Sequence, residues 1–298
     1  MTPTISVHGL TRRYRDNLAL DGVNLEIDGP CITGLLGRNG AGKSTLLRII
    51  ANQELASAGT VQVFGASSVE NDAVLRRMVL VREDQAFPDF KVHHALRAAS
   101  WFYPDWSADL ADSLLADFDL PANRAIKKLS RGMRSALGIV IGLATRAEIT
   151  LFDEPYAGLD PVARQMFYDR LLATYTEHPT TVVLSTHLID EAADLFEQVV
   201  MIDHGRIVLD AAADDVRGSA TKVSGPLVAV EEFVAGRRAW DRRRVASQES
   251  VVLDGALDDE DRARARALHL ALEPLSMQQV MVHAADYASE ESQEKTNA

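Results

Sequence analysis

The sequence has one cysteine, Cys31, among 298 residues. That excludes a disulfide framework and a cysteine-based metal cluster, and it suits a reducing compartment. Long hydrophobic runs are also missing. The longest, Ala136 to Ala144, is nine residues and is followed by Thr145 and Arg146, whereas a membrane span takes about 20. We expect this run to be a buried helix of a soluble core, so that any work at a membrane is done from outside the bilayer. The opening Met-Thr-Pro-Thr-Ile-Ser has neither the basic stretch nor the apolar run of a signal peptide. Positive charge is in deficit, with 31 Lys and Arg against 43 Asp and Glu and a net charge of -12. A general nucleic-acid binder wants a basic face, so this balance speaks against one. No repeat of solenoid period is present. What remains is an ordinary globular composition, long enough for about two domains.

The segments Ile5 to Leu10 and Val23 to Ile27 read as short strands around the polar stretch Thr11 to Asn17. Cys31 to Leu36 is an apolar strand running into the glycine-rich Gly37 to Gly42, and helical periodicity follows through Leu46, Leu47, Ile49 and Ile50. Strand, glycine loop and helix make half of an α/β unit with its ligand end marked. Further strands are expected at Val61 to Phe64 and Met78 to Val81. A helical insertion follows, about 88 to 135, with helices starting near Val92 and Leu110. The α/β rhythm resumes with a helix at Ser135 to Thr145, a strand at Ile149 to Phe152, a helix at Val162 to Thr174 and a strand at Thr181 to Leu184. A helix over Ile189 to Phe196 leads to strands at Gln198 to Ile202 and Arg206 to Leu209. Beyond Asp214 the pattern weakens. Gly218 to Pro226 reads as a linker or strand edge, Glu231 to Arg244 as a basic-faced helix, and Val251 to Leu253 as a strand. Leu275 to Ala285 reads as a last packed element, and the polar Glu290 to Ala298 as disordered.

Gly37-Arg-Asn-Gly-Ala-Gly-Lys43-Ser44 fits the phosphate-loop pattern without a mismatch. Gly37, Asn39, Gly40, Ala41, Gly42, Lys43, Ser44 and Thr45 are therefore the candidate cradle for a nucleotide's phosphates. Gly40 and Gly42 let backbone N–H groups turn toward phosphate oxygens, and the following helix presents its positive end. Lys43 reaches the β- and γ-phosphates, and the Ser44 hydroxyl is a magnesium ligand. Such a loop needs a carboxylate for the metal. Ile149-Thr-Leu-Phe-Asp153-Glu154 supplies one: Asp153 closes the strand and holds Mg2+ through water, while Glu154 polarises the attacking water.

With these residues in place, the sequence resembles the ATP-binding subunit of an ATP-binding cassette (ABC) transporter over roughly residues 5 to 215. Further motifs fall in the family's order. Tyr14 sits where the family stacks a ring on adenine. Gln85, in Val-Arg-Glu-Asp-Gln, matches the loop glutamine that touches magnesium and couples the site to the membrane partner. Leu129-Ser130-Arg131-Gly132-Met133 occupies the signature position. Asp160, in Gly-Leu-Asp-Pro, lies in the loop that organises the dimer seam, and His187, in Leu-Ser-Thr-His, matches the switch histidine. The signature departs from the commonest Leu-Ser-Gly-Gly-Gln at Arg131 and Met133, yet keeps Ser130 and Gly132, which in the family contact the γ-phosphate held by the other subunit. The form Leu-Ser-Arg-Gly-Met, with Phe102 to Trp106, is similar to a bacterial exporter-type branch.

The resemblance implies a P-loop α/β fold of the ABC ATPase type with antiparallel strands, a helical insertion and a small C-terminal α+β extension. The nucleotide-binding domain would span 1–215 and the accessory domain 216–298. It implies ATP and Mg2+ as ligands, and hydrolysis to ADP and phosphate with Glu154, His187 and Gln85 as the reacting set. Because the chain has one phosphate loop and one signature, two chains close head to tail, a homodimer being simplest. A separate transmembrane permease supplies the missing spans, so the protein is expected on the cytoplasmic face of the membrane, peripheral through that permease and soluble when isolated. Phe87, Phe90, Trp101, Phe102, Tyr103 and Trp106 cluster where the family meets its permease; each is read first as core and second as groove lining. Two alternatives stay open at this point: a soluble ABC-type ATPase acting on nucleic acid or ribosomes, and a regulatory ATP-binding subunit with weak hydrolysis. A small-molecule kinase shares the phosphate loop but has no use for the signature.

Overall fold

Strands buried on both faces read as unbroken apolar runs, and the runs ending at Leu36, Arg82, Asp153 and Thr186 all become strands of one sheet. The computed structural model describes residues 3–281, and the segment Glu290 to Ala298, like the end of Leu275 to Ala285, lies outside them. The chain divides into two units between Asp210 and Ala211.

In the N-terminal unit, β1 (Ile5–Tyr14) and β2 (Asn17–Ile27) form a long hairpin that extends through the polar stretch expected to separate them. β3 (Cys31–Leu36) leads through the glycine loop into α1 (Lys43–Ile50). β4 (Ala58–Val63), β5 (Ala66–Ser67) and α2 (Asp72–Leu75) precede β6 (Met78–Arg82). The insertion carries α3 (Val92–Phe102) and α4 (Ala108–Asp117), followed by α5 (Arg131–Ala144). β7 (Ile149–Asp153), α6 (Pro161–Glu177) and β8 (Thr181–Thr186) continue the α/β alternation. The expected helix over Ile189 to Phe196 is shorter: α7 is Ile189–Ala192, and Ala193–Leu195 tightens into a 3₁₀ turn. β9 (Gln198–Asp203) and β10 (Arg206–Ala212) complete the unit's elements.

Six strands order as β10-β9-β3-β8-β7-β6, with β9, β3, β8, β7 and β6 linked by parallel pairings. A second, antiparallel sheet orders as β2-β1-β4-β5. The nine-residue apolar run lies in α5, where every residue from Ser135 to Ala144 is buried. The parallel register brings the ends of β3, β7 and β8 level, so the residues following Leu36, Phe152 and Ser185 gather at the carboxyl edge of the sheet. In open α/β sheets this edge is where ligands bind.

The expectation that the insertion's aromatics are first of all core is overturned. None of the six is buried, and Trp101 and Phe102 are 73 % and 63 % exposed. Trp101 and Phe102 fall at the C-terminal end of α3, whose buried residues are Val92, Ala95 and Leu96.

The C-terminal unit begins with α8 (Ala213–Val216). It then runs β11 (Ala220–Pro226), α9 (Leu227–Val234), β12 (Ala239–Val245), β13 (Gln248–Asp254), α10 (Asp259–Ala267) and β14 (Ala271–Pro274). From β11 onward this is a β-α-β-β-α-β order with an antiparallel sheet β12-β13-β11-β14, the ferredoxin-like arrangement. Val223, Val251 and Leu253 of the sheet pack with Val230, Phe233 and Val234 of α9 and Ala265 of α10. Two expectations are corrected here. The segment read as a linker or strand edge is β11, an inner strand of the sheet. The basic-faced helix over Glu231 to Arg244 is cut short: α9 stops at Val234, Gly236 takes φ +75°, Arg237 and Arg238 lie between the elements, and Arg242, Arg243 and Arg244 lie on edge strand β12. Charged side chains on an edge strand discourage pairing with another chain. Of the last expected element, residues 277–281 are helical.

Candidate functional site

The glycine loop turns at the carboxyl end of β3 because its backbone enters conformations that suit glycine. Gly40 and Gly42 have φ +81° and +115°, and a Cβ on Gly42 would lie 2.6 Å from the Ala19 carbonyl oxygen. Lys43 begins α1 with only 4 % of its surface exposed. A buried ammonium needs acceptors. Nζ donates to the carbonyl oxygens of Gly37 at 2.8 Å and Arg38 at 3.2 Å, and lies 3.4 Å from Oε1 of Glu154.

Asp153 ends β7 with a single oxygen serving two hydroxyls. Ser44 and Ser185 donate to Oδ1 at 2.9 and 2.8 Å. The next residue, Glu154, takes φ +47°, a left-handed conformation that costs a non-glycine residue on the order of 1 kcal/mol. Its N–H is anchored on Ser185, at 3.2 Å from Oγ and 3.3 Å from the carbonyl oxygen. This turn aims the Glu154 carboxylate back toward Lys43, and its Oε2 accepts from Nδ1 of His187 at 2.9 Å. Since a carboxylate only accepts, Nδ1 carries the proton, leaving Nε2 for a second partner. His187 is itself fixed from behind. Its backbone N–H donates to the Tyr156 hydroxyl at 3.3 Å, and that hydroxyl is 2.5 Å from Thr186 Oγ1. Burial pushes the Tyr156 hydroxyl up to about 12, so it stays protonated at any working pH.

Lys43, Ser44, Asp153 and Glu154 open onto a groove of about 420 Å³ lined also by Tyr14, Asn39, Gly40, Gly42 and Thr45 among others, while His187 lies outside that lining and meets it through Glu154. Tyr14 bonds Glu54 through its hydroxyl, and Arg12 covers one ring face at 4.5 Å from the centroid, which leaves the other for a stacking ligand. The donor set fits a magnesium nucleotide. Ser44 and Asp153 offer hard oxygens side by side, the pairing Mg2+ takes when phosphates and water complete its shell. Among the described residues no group of three or more His, Cys, Asp and Glu is arranged to hold a metal alone.

Several residues singled out in the sequence stand apart from this groove. Gln85 lines two neighbouring clefts, and its Oε1 is buried without a hydrogen-bond partner. Ser130 caps α5, accepting from the Met133 N–H at 3.2 Å, and Asp160 caps α6, accepting from the Ala163 N–H at 2.9 Å. Gly132 is held close to the Asp160 loop: a Cβ there would lie 2.4 Å from the Gly158 carbonyl oxygen. Gly37 and Ala41 shape the loop from beneath, Gly37 through its carbonyl on Lys43 and Ala41 as a buried residue accepting from the Gly205 N–H. Conversely, Asn17, Ala19, Arg48 and Glu83 line the groove without having been singled out. Arg48 carried a local signal, since it follows Ser44 by one helical turn and donates to its carbonyl at 3.1 Å. Ser185 and Tyr156 flank recognised motifs but reveal their roles only through strand pairing and burial.

Comparison with known proteins finds similar sequences and similar folds. The sequence pattern described as ABC transporter matches residues 20–157. The chain is 31% identical over 228 residues to the daunorubicin/doxorubicin resistance ATP-binding protein of Streptomyces peucetius, covering 73% of this chain and 68% of that one. It is 33% identical over 214 residues to the Nod factor export ATP-binding protein I of Ralstonia nicotianae, covering 69% and 66%. An aliphatic sulfonates import ATP-binding protein of Paraburkholderia xenovorans is 29% identical over 265 residues, covering 88% and 74%. Among solved structures, the ATP-binding subunit of an ABC transporter superposes with a TM-score of 0.64 at 24% identity, over 72% of this chain and 91% of that one. A dimeric ATP-binding cassette in a post-hydrolysis state with ADP and Pi gives 0.62 at 23%, over 70% and 98%. At that identity the structural likeness speaks for the fold.

Proposed function

Because the chain belongs to the ATP-binding proteins of ABC transporters, with ATP binding and hydrolysis in the service of transport as its activity, we propose that it powers export through a separate membrane permease as one half of a head-to-tail pair. The observation that carries the catalytic part is the Glu154 carboxylate, held between Lys43 and His187 at the rim of the groove. Lys43 leaves its loop carbonyls for the β- and γ-phosphates, and the loop's N–H groups and the start of α1 bind the remaining phosphate charge. Ser44 and Asp153 would hold Mg2+, which would offset charge on the transferring phosphoryl group. Glu154 orients and polarises the attacking water, while His187, braced by Tyr156, keeps that carboxylate in place and offers Nε2 to the γ-phosphate.

Ser130 and Gly132 lie outside the lining of the Lys43 groove, which supports their use on the nucleotide of a second copy, with Asp160 at the seam. A homodimer is the simplest pair for a chain with one loop and one signature. Among the described residues no helix is long and apolar enough to cross a membrane. Membrane attachment therefore falls to the permease, at the cytoplasmic face. Gln85 and the exposed Trp101 and Phe102 are the surface we assign to it. Export, as against import, rests on the export and resistance named for two of the relatives. The C-terminal unit we assign to regulation or stabilisation of the pair.

Glu154→Gln tests the reading. Turnover of ATP by the purified chain should fall by at least about 100-fold, with an ATP-bound dimer that outlives the parent's in size-exclusion chromatography. Undiminished turnover would remove Glu154 from the mechanism. Co-purification from membranes should bring down a polytopic subunit, and its consistent absence would refute the permease.

A further inference from the structure

Arg131 stands where the commonest signature has glycine, and its partner lies in the nucleotide groove of its own subunit. Its Nη2 donates to Oε1 of Glu83. The Glu83 backbone N–H donates to the Asp153 carbonyl oxygen at 3.1 Å, so its main chain is tied to the end of β7. Glu83 borders both the groove, with Lys43, Asp153 and Glu154, and the adjoining cleft.

Three carboxylates thus border the space for an anionic ligand. Two find partners within the site: Asp153 on Ser44 and Ser185, Glu154 on Lys43 and His187. Glu83 is turned outward instead, to a guanidinium that borders the adjoining cleft with Arg134 and Lys127. Arg131 has reason to keep this partner. As the first residue of α5 it meets the positive end of the helix, which a neighbouring carboxylate offsets. Its stem is also seated, since a Cβ on Gly158 would lie 3.1 Å from Arg131 Cγ.

We propose that Arg131 is a positioning residue for nucleotide binding in cis: it holds the Glu83 carboxylate outside the space of the phosphates and away from Lys43. Freed of Arg131, that carboxylate turns to the Lys43 ammonium and competes with the γ-phosphate for it. The signature residue acts on its own subunit's groove, whatever Ser130 and Gly132 do for another. This rests on the reading that a magnesium nucleoside triphosphate fills the groove.

The two sources of an effect separate cleanly. Deleting a cation outside the groove lowers anion affinity by simple Coulomb attraction, equally whether residue 83 is charged or not. A positioning effect needs the carboxylate and therefore vanishes without it. The measurement is calorimetric binding of Mg2+ with a non-hydrolysable ATP analogue to the full chain, in about 0.15 M salt to screen long-range charge. Arg131→Ala should weaken binding by about 3- to 10-fold, the size of a lost charge-assisted contact, and Arg131→Lys should restore most of it. With Glu83→Gln present, the same Arg131→Ala change should shift binding by less than about 2-fold. Equal shifts in both backgrounds, or none in either, would overturn the proposal. If Arg131→Ala does not fold, the cycle is run with Arg131→Gln and Glu83→Gln on the same criterion. A parent chain that fails to bind the analogue refutes the nucleotide reading itself, whereas a binding parent with an additive cycle refutes only the role of Arg131.

Discussion

In the N-terminal unit the Glu154 carboxylate keeps 17 % of its side chain exposed and faces a groove, with Lys43 and His187 as partners that a ligand can take over. In the C-terminal unit the Glu249 side chain is wholly buried. It is on the sheet face that carries Val251 and Leu253, accepts from Arg244 Nε at 2.9 Å with Arg242 at 3.6 Å, and leaves Oε2 buried without a partner. One carboxylate is arranged so that its contacts can be exchanged during a reaction; the other is shut in by contacts that have no exit. A strained backbone supports the first, whereas the second occupies a regular strand. The difference separates a group placed for chemistry at some expense to stability from a group whose effect is on stability alone.

The sharpest way to break this contrast is Lys43→Ala. Removing the ammonium leaves Glu154 facing the nucleotide phosphates with its charge uncompensated and takes away the β- and γ-phosphate contact. ATP turnover should drop by about 100-fold or more, the range of a lost electrostatic stabiliser of the transition state, as read by phosphate release. Hydrogen exchange of the β11 and β13 amides should stay at the parent rate. Exchange that speeds up there together with the loss of turnover would mean the two units do not divide chemistry and stability as described.

Glu249→Met addresses the other half of the contrast, with the opposite sign. A buried carboxylate with one unsatisfied oxygen carries a desolvation penalty that its arginines offset only in part, and such sites often tolerate apolar replacement. Arg242 and Arg244 are about half exposed, and Arg244 keeps Glu231 at 2.7 Å, so no buried cation is stranded. We expect the β11–β13 amides to exchange about 5-fold more slowly, equivalent to about 1 kcal/mol, with ATPase activity unchanged. Faster exchange would show that the arginine network is a net stabiliser and that Glu249 is more than a tolerated burial.

Legibility in the sequence divides along the same line. The groove is written in short local signals: the loop from Gly37 to Ser44, the acid pair after an apolar strand, and a histidine directly after the buried strand β8 are each contiguous. The sheet is equally plain, because strands buried on both faces must be apolar along their length. What the sequence hides are contacts between distant segments. Arg131 and Glu83 are 48 residues apart, and Tyr14 and Glu54 are 40 apart, with no pattern to announce either pair. The same gap explains the misread helix at Glu231 to Arg244. Its arginines suggest a solvated helical face, but the counter-charges of Arg244 lie on α9 and β13, and only strand pairing brings it opposite Glu249. Trp101 and Phe102 run against expectation for a related reason: composition favours burial, while the side of α3 they fall on is decided by which of its residues the body buries.

The smallest expected effect is electrostatic and again distinguishes the units. Arg237 on the turn after α9 pairs with Asp261 in the first turn of α10, and hydrogen bonding to that guanidinium holds the Asp261 carboxyl below the usual carboxylate range. A carboxyl lowered in the folded state adds stability that is complete above its ordinary range and is lost as pH falls through its folded value. Removing Arg237 abolishes the lowering, so Arg237→Ala should cost stability at neutral pH and progressively less as the solution is acidified and Asp261 protonates. Because the pair is near the surface, the difference should be no more than about 0.5–1 kcal/mol. It is measurable as a gap in β13 amide exchange between parent and variant that is widest near pH 7 and closes as the pH falls below the usual carboxylate range. A gap that stays constant would assign the loss to Arg237 packing on the Phe233 ring, 5.2 Å from its centroid, instead of to charge. ATPase activity, governed by Lys43 and Glu154 in the other unit, should not follow either course.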